Sequence, residues 1–408
     1  MNPGPAPSAL QVLFAIGIGT CTSLFGDASL YTVLPTETAA AGVVLANVGL
    51  LLSANRFVRL VLNGPLGMLY DRGPRRPLFL AAMFLGALST ALYALTHGLW
   101  PLLMARMLWG LAWAGIWVGG NTILMDVIPQ KLRGRWLGYY LVFFFLGSAG
   151  GSFLGGILTD HYGFDNAMLI QAGLTLFGAL LGLFLLPETR HAPYSGQLPA
   201  NPVAQTNETP VSSQKVLLGA ATGLYTANRL VFAGLFSSTL GLFLLERFGT
   251  SINIAGSIFG VATLTGFALA SSTLLSMLST PLTGLLSDRM RNRWQAASLG
   301  LVPGVIGFAL FALGTPLGMI LGIPSAAFAS SSNQNVATAL VGDLSRGNRR
   351  GQQLGVLFTF GDLASALGPL LAYSLLPIIS LQGMYIASAF LLGAMLLLSL
   401  ALSRQSPD

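Results

Sequence analysis

The chain has 408 residues, of which 53% are hydrophobic and only 8% are charged, with a mean hydropathy of +0.72. A soluble protein of this length carries about a quarter charged residues. A water-soluble enzyme, a disordered chain and a nucleic-acid-binding domain are therefore excluded as first readings, the last despite a net charge of +7. Apolar stretches of about 20 residues recur along nearly the whole length, and each can cross a hydrocarbon layer of roughly 30 Å as a helix. The composition points to an all-α polytopic membrane protein.

In chain order, the polar start MNPGPAPS lacks a basic region, so no cleavable signal peptide is expected. Twelve spans are predicted, at 11–34, 42–69, 76–96, 99–128, 135–158, 166–187, 216–246, 254–286, 294–314, 317–342, 352–377 and 383–403. The first holds Asp27 and the single cysteine, Cys21, so disulfides have no part. The second holds Arg56 and Arg59 and ends in GMLYDRGPRR, a knot of charge behind glycines, with Gly67, Asp71, Arg72, Arg75 and Arg76. The fourth holds Arg106, a Trp109, Trp113 and Trp117 stripe, Asn121 and, at its end, Asp126. Lys131, Arg133 and Arg135 follow, and the fifth span carries Gly147, Gly151-Ser152 and Gly155-Gly156.

The segment 188–215 is polar and proline-rich without periodicity, and reads as a flexible linker. It divides the chain into a bundle over 1–187 and a bundle over 216–408. The second bundle repeats the first. GLLSDRMRNR places Gly284, Leu286, Asp288, Arg289 and Arg293 at a spacing of 217 from Gly67, Leu69, Asp71, Arg72 and Arg76. The same spacing pairs Asp126, Arg133, Gly134, Leu137, Gly138 and Gly151 with Asp343, Arg350, Gly351, Leu354, Gly355 and Gly368. Matches on one offset at equivalent helix ends indicate homologous halves. Both copies fall on one side, so the repeats are parallel.

Lysine and arginine concentrate on the loops of that side, whereas the opposite loops hold only Arg247. By the positive-inside rule that side is cytoplasmic, which puts both termini there. The expected location is a bacterial cytoplasmic (inner) membrane, with lipid around a monomer. The sequence resembles the major facilitator superfamily of secondary transporters in its two six-helix halves, its long central loop and its G-x-L-x-D-R-x-x-R-R stretch. Arg106 in an R-x-x-x-G setting and the PET at 187–189 add to the likeness. Two departures stand out. The motif glycine comes one place early, as Gly73 before Pro74, and Ser152 replaces the proline of the antiporter pattern in the fifth helix. The resemblance implies a proton-coupled carrier of a small organic molecule, working by alternating access and efflux-like, with an organic-anion uptake symporter or a uniporter as alternatives. It also implies a gating latch of Gly67, Asp71, Arg72, Arg76, Gly284, Asp288, Arg289, Asp126, Arg133, Asp343 and Arg350. There Asp71 would meet the start of the eleventh helix near Gln352 to Gly355, with glycines allowing close helix approach.

Six charges lie inside spans: Asp27, Arg56, Arg59, Arg106, Arg229 and Asp362. Burying each costs at least about 2.5–3.5 kcal/mol, which marks them as site candidates. None has a charged counterpart at the repeat spacing, so the repeated residues read as machinery and these as chemistry. Asp27 is the expected coupling carboxylate with Arg106 as partner. Arg56 and Arg59 share a helix face suited to an anion, and Asp362 is expected to pair with Arg229, as a structural pair or as a coupling site. Asn121, Asn333, Gln334 and Asn335 are expected to line the cavity, the run SSSNQN facing water. The tryptophan stripe reads as packing or as aromatic surface. No phosphate-binding loop, metal-ligand cluster or nucleophile–base pair is present, so neither enzyme activity nor a cofactor is expected.

Overall fold

The computed structural model describes residues 8–190, 211–254, 256–290, 292–345 and 350–405. Its elements are α1 (Ala9–Val33), α2 (Leu45–Arg72), α3 (Arg75–Leu95), α4 (Leu99–Val127), a 3-10 turn (Gln130–Leu132) and α5 (Arg133–Leu185). Then come α6 (Val211–Asn228), a π-helical segment (Arg229–Phe236), α7 (Ser237–Phe248), β1 (Ser251–Ile254) and β2 (Ser257–Gly260). The chain closes with α8 (Val261–Arg289), α9 (Arg293–Leu313), α10 (Pro316–Leu344), α11 (Arg350–Leu375) and α12 (Leu381–Gln405). Most of the linker, 191–210, lies outside the described residues.

Among the described residues, ten helical stretches are long and apolar enough to cross a membrane. One of them, α5, is two spans meeting at Gly163, whose φ of 79° breaks the helix without a loop. Glycine adopts that conformation without strain. The 29-residue α10, made more polar by SSSNQN, completes the predicted twelve. Helix ends follow local chemistry. The Ser8 hydroxyl accepts from the Gln11 N–H at 3.1 Å, and Thr315 does the same for Gly318 ahead of Pro316, the first residue of α10.

Two predicted spans are corrected. The eighth was expected from 254, but helix begins only at Val261. Residues 251–260 instead form an antiparallel hairpin pairing Ser251 with Gly260 and Ile254 with Ser257. The Asn253 side chain accepts from the Gly256 N–H at 3.0 Å, and this turn chemistry outcompetes helix. The seventh span is not one α-helix, since the π segment divides it.

Contacts group the chain into two units, residues 1–201 with 248–270, and residues 202–247 with 271–408. The stretch from Phe248 to Ala270 thus belongs with the first unit, and the division falls inside α8 rather than only at the linker. In the first unit, Gly147, Gly151 and Gly155 lie one turn apart on α5 and press on the α1 backbone at Cys21, Phe25 and Ser29. A methyl group at Gly147 would overlap the Cys21 carbonyl, and one at Gly155 would overlap the Ser29 side chain. The Ser29 hydroxyl fastens the seam by donating to the Gly151 carbonyl at 2.7 Å, and it accepts from Gln171 at 2.8 Å. An adjacent stripe of α5 faces α8, because a β-carbon on Gly156 would strike the Ala262 carbonyl and one on Gly266 the Ser152 carbonyl. Small residues of this kind let helix backbones touch. Asp160 completes the contact by accepting from the Thr263 N–H at 2.7 Å in the first turn of α8.

The tryptophan stripe is core. Trp109 is fully buried and Trp113 nearly so. The rings stack along α4 at 6.0 and 5.8 Å, and Trp117 continues onto Tyr140 at 5.8 Å. In the second unit, Phe236 packs on Phe311 at 5.1 Å and Phe308 on Tyr385 at 5.8 Å.

Candidate functional site

In the first unit, α1, α2 and α4 converge on one ion pair. Arg106 is fully buried, and its Nη1 donates to Asp27 at 2.5 Å. Its Nε donates to the Leu51 carbonyl at 3.0 Å, and Nη1 also reaches the Tyr93 hydroxyl at 3.4 Å. The guanidinium stands over the Tyr31 and Tyr93 rings at 5.3 and 6.0 Å, so π-faces cover what the carboxylate does not. Asp27 is 18% exposed and accepts a second bond from the Asn55 amide at 3.3 Å. The expected partnership is present. Arg56 lies over the same Tyr31 ring at 5.0 Å, and Tyr31 donates to the Leu52 carbonyl. Arg59, one turn further, is half-buried. Tyr31, Asn55 and Tyr93 were not singled out in the sequence, because neutral polar groups in apolar helices give no periodic signal.

In the second unit, Arg229 faces Asp362 at 3.8 Å, with the side chains 25% and 27% exposed. The separation exceeds hydrogen-bond length. Tyr225 packs beside them, against Gly361. A cavity of about 810 Å³ opens elsewhere in this unit, between α6, α11 and α12, lined among others by Thr222, Thr226, Gln353 and Phe360.

The asparagines divide. Asn121 spends its amide on the Trp117 carbonyl at 2.7 Å, within its own helix. Asn335 donates to the Thr280 carbonyl and the Thr283 hydroxyl, both at 3.1 Å, tying α10 to α8. Asn333 is a correction: it is fully buried and its amide abuts Gly300 of α9 rather than facing water. A polar run of three residues covers most of a helix's circumference, so it cannot state which face is wet.

The arginine-rich end holds the repeated motif. Arg75, only 8% exposed, donates from Nε to Asp126 at 3.1 Å, and Asp126 also accepts from the Thr189 hydroxyl at 3.0 Å. In the second unit Arg293 bonds Asp343, and reaches Asp288 at 3.2 Å. Arg293 therefore does in one unit what Arg75 does in the other, although the sequence spacing paired it with Arg76. The reason is loop length, since α2 and α3 are joined by 73–74, and α8 and α9 by 290–292. Arg76 instead donates to the Leu183 carbonyl at 2.6 Å.

Glu188, of the PET stretch, accepts from the backbone N–H groups of Arg75 and Arg76 at 2.9 and 3.1 Å, capping α3. It also accepts from Thr189 and Arg190, both at 3.0 Å. Burial pushes this carboxyl up, but the four N–H groups outweigh it and hold it below the usual carboxylate range. Asp71, Arg72, Asp288, Arg289 and Asp343 are exposed. Arg133 is half-buried, and the Arg350 side chain lies outside the described residues. At Gly67 and Gly284 a β-carbon would meet nothing within 4 Å, so no close helix approach occurs there. Among the described residues, no group of three or more His, Cys, Asp or Glu could hold a metal ion.

Comparison with known proteins agrees with this architecture. Residues 16–272 and 262–408 match the family described as Major Facilitator Superfamily. The class E tetracycline resistance protein of Escherichia coli is 26% identical over 377 residues, covering 89% of this chain and 85% of that protein. The class G tetracycline resistance protein of Vibrio anguillarum is 27% identical over 372 residues, covering 89% and 88%. Among solved structures, a bacterial homologue of the human lysosomal transporter Spinster superposes with a TM-score of 0.78 at 16% identity, over 98% of both chains.

Proposed function

The chain belongs to the Major Facilitator Superfamily, as an integral membrane transporter, and on that premise we propose that it exports a small organic molecule against an inward flow of protons, by alternating access. The observation that carries this reading is the Asp27–Arg106 pair. It is a carboxylate in apolar surroundings paired with a fully buried guanidinium. Protonating Asp27 removes the charge that Arg106 answers, and re-forming the pair expels the proton. A carboxylate in this setting converts proton binding into a change in helix–helix attachment. The relatives named as tetracycline resistance proteins support export and supply a first probe.

In this reading the two Asp-Arg motifs, with Asp126 and Asp343 behind them, form the cytoplasmic latch. The protein sits in a bacterial inner membrane with both termini in the cytoplasm. Organic-anion uptake with protons is the second reading, favoured by the excess of arginine over aspartate among the six charges within spans. Proteoliposomes with an internal pH dye distinguish them. Tetracycline-induced proton movement, present in the wild type and absent in Asp27→Asn, is the expected result. Proton movement in the same direction as an organic anion supports uptake symport, and an unimpaired Asp27→Asn response removes Asp27 from the coupling step.

A further inference from the structure

The two units each hold one intramembrane Arg–Asp pair, and the pairs are unequal. Arg106 is dry, and it is held at 2.5 Å by Asp27, by a backbone carbonyl and by two tyrosine rings. Arg229 stands 3.8 Å from Asp362, a quarter exposed, and its buried Nε has no hydrogen-bond partner among the described residues. A buried donor left unmade is destabilising, and a planar guanidinium suits a two-oxygen acceptor. Each guanidinium leaves one nitrogen without a partner among the described residues, Nη2 in Arg106 and Nε in Arg229, but Arg106 is sealed and tightly paired whereas Arg229 is loosely paired and open to solvent.

Arg229 is also the first residue of the π segment. There the Ser237 N–H reaches the Phe232 carbonyl, five residues back, and such segments are rare and concentrate at functional positions. Its second half and the residues beyond it are fixed. Gly234 touches Gly368 backbone to backbone, the Tyr373 hydroxyl donates to the Ser238 carbonyl at 2.7 Å, and Thr239 bonds Tyr385 at 3.1 Å. Returning the segment to α-helix removes the surplus residue from one turn. With the far side fixed, the turn just before the surplus residue rotates by about 100°, which breaks the Asn228 amide's bond to the Ser330 carbonyl and takes Arg229 away from Asp362.

We propose that Arg229 binds the anionic group of the transported molecule, in competition with Asp362, and that the π segment is the hinge on which this arginine turns. The inference rests on the transport reading above and names its substrate class, an amphipathic organic anion. Asp362 answers the charge of Arg229 in the empty site and is displaced when a carboxylate or sulfonate enters.

The test is equilibrium binding to the full-length protein in detergent, read by calorimetry and by melting temperature. Three probes of one shape are used: naphthalene-1-sulfonate, its neutral sulfonamide and 1-naphthylmethyltrimethylammonium. The sulfonate is expected to bind in preference to the other two. Asp362→Asn should tighten it at least tenfold, by removing the competitor. Arg229→Lys should weaken it at least tenfold, because an ammonium lacks the fork, and Arg229→Gln should abolish it. Gly393→Ala, on open surface, is the folding control. Equal affinity in the Arg229 variants, preference for the cation, no gain in Asp362→Asn, or no sulfonate binding to the wild type would each overturn the proposal. No gradient is involved, so such a failure leaves proton-linked export standing. A missing tetracycline response in vesicles would count against export alone.

Discussion

Consider neutralising the Asp27–Arg106 pair one side at a time and then together. Removing one partner of a buried ion pair costs about 3–5 kcal/mol, because the other charge is left uncompensated. The two sides are not alike here, since Arg106 is fully buried and Asp27 is 18% exposed. Asp27→Asn strands a dry guanidinium with only tyrosine faces and a carbonyl, so its cost belongs at the upper end, about 4–5 kcal/mol. Arg106→Met leaves a carboxylate that keeps some water and the Asn55 amide, so its cost belongs at about 3 kcal/mol. The double variant strands nothing and should recover about 3 kcal/mol of the summed loss, the upper part of the range for coupled neighbours. For a unit of about 200 residues, 1 kcal/mol moves the melting temperature by about 2–4 °C, so the recovery amounts to about 6–12 °C. The assay is thermal unfolding of the four proteins in one detergent, followed by proton-linked flux in vesicles. All three variants should lose flux, including the double variant with restored stability. Losses that simply add would refute the argument, because the two charges would then not answer each other.

Three further outcomes are expected. In Glu188→Gln the N-terminal cap of α3 weakens by about 0.5 kcal/mol, a helix-end effect discounted for exposure. The carboxyl of Glu188 is held low, so its contribution is present above the ordinary carboxylate pKa and is lost as pH falls through the lower folded value. Stability of the variant should therefore change less between neutral and acid pH, as melting at stepped pH will show. Gly151→Val should lose most folded protein by driving a side chain into the α1 backbone, whereas Gly67→Ala, on open surface, should hold or gain about 1 kcal/mol; detergent melting separates them. Asp160→Ala should speed hydrogen exchange at Thr263 and its neighbours by removing their acceptor. It should also bring the Glu37 carboxyl, raised by burial and then by Asp160, back toward its ordinary value. Ionisation of Glu37 costs native stability above that raised pKa and the cost is relieved as pH falls, so the acid-side gain in stability should shrink in the variant.

What could be read in the sequence was whatever apolar solvent makes costly. Helix count and position followed from the need to satisfy every backbone group in lipid. The Asp27–Arg106 and Arg229–Asp362 pairings followed because a charge in such a segment must find its opposite. What could not be read depended on rotation about a helix or on a shift of one residue. Asn333 turned into the α9 contact, and Arg75 took the place that spacing had given to Arg76, because one loop is a residue shorter. The π segment left no trace, since RLVFAGLF is as suited to an α-helix. It contains the meeting of Gly234 with Gly368, a contact between segments far apart in sequence. The neutral partners of Arg106 were silent for a similar reason, as their role lies in three helices converging.

Where α5 meets the start of α8, the backbones of Ser152 and Gly156 touch those of Ala262, Thr263 and Gly266, with the Asp160 carboxylate at the edge. Such a surface has no interlocking side chains, so parting it requires no rotamer to change and exposes little apolar area. Large residues would make a stronger joint, but one that catches as it opens. The small ones give close fit with low friction. The Asp160 hydrogen bond to Thr263 adds a point of attachment at the edge that water can replace.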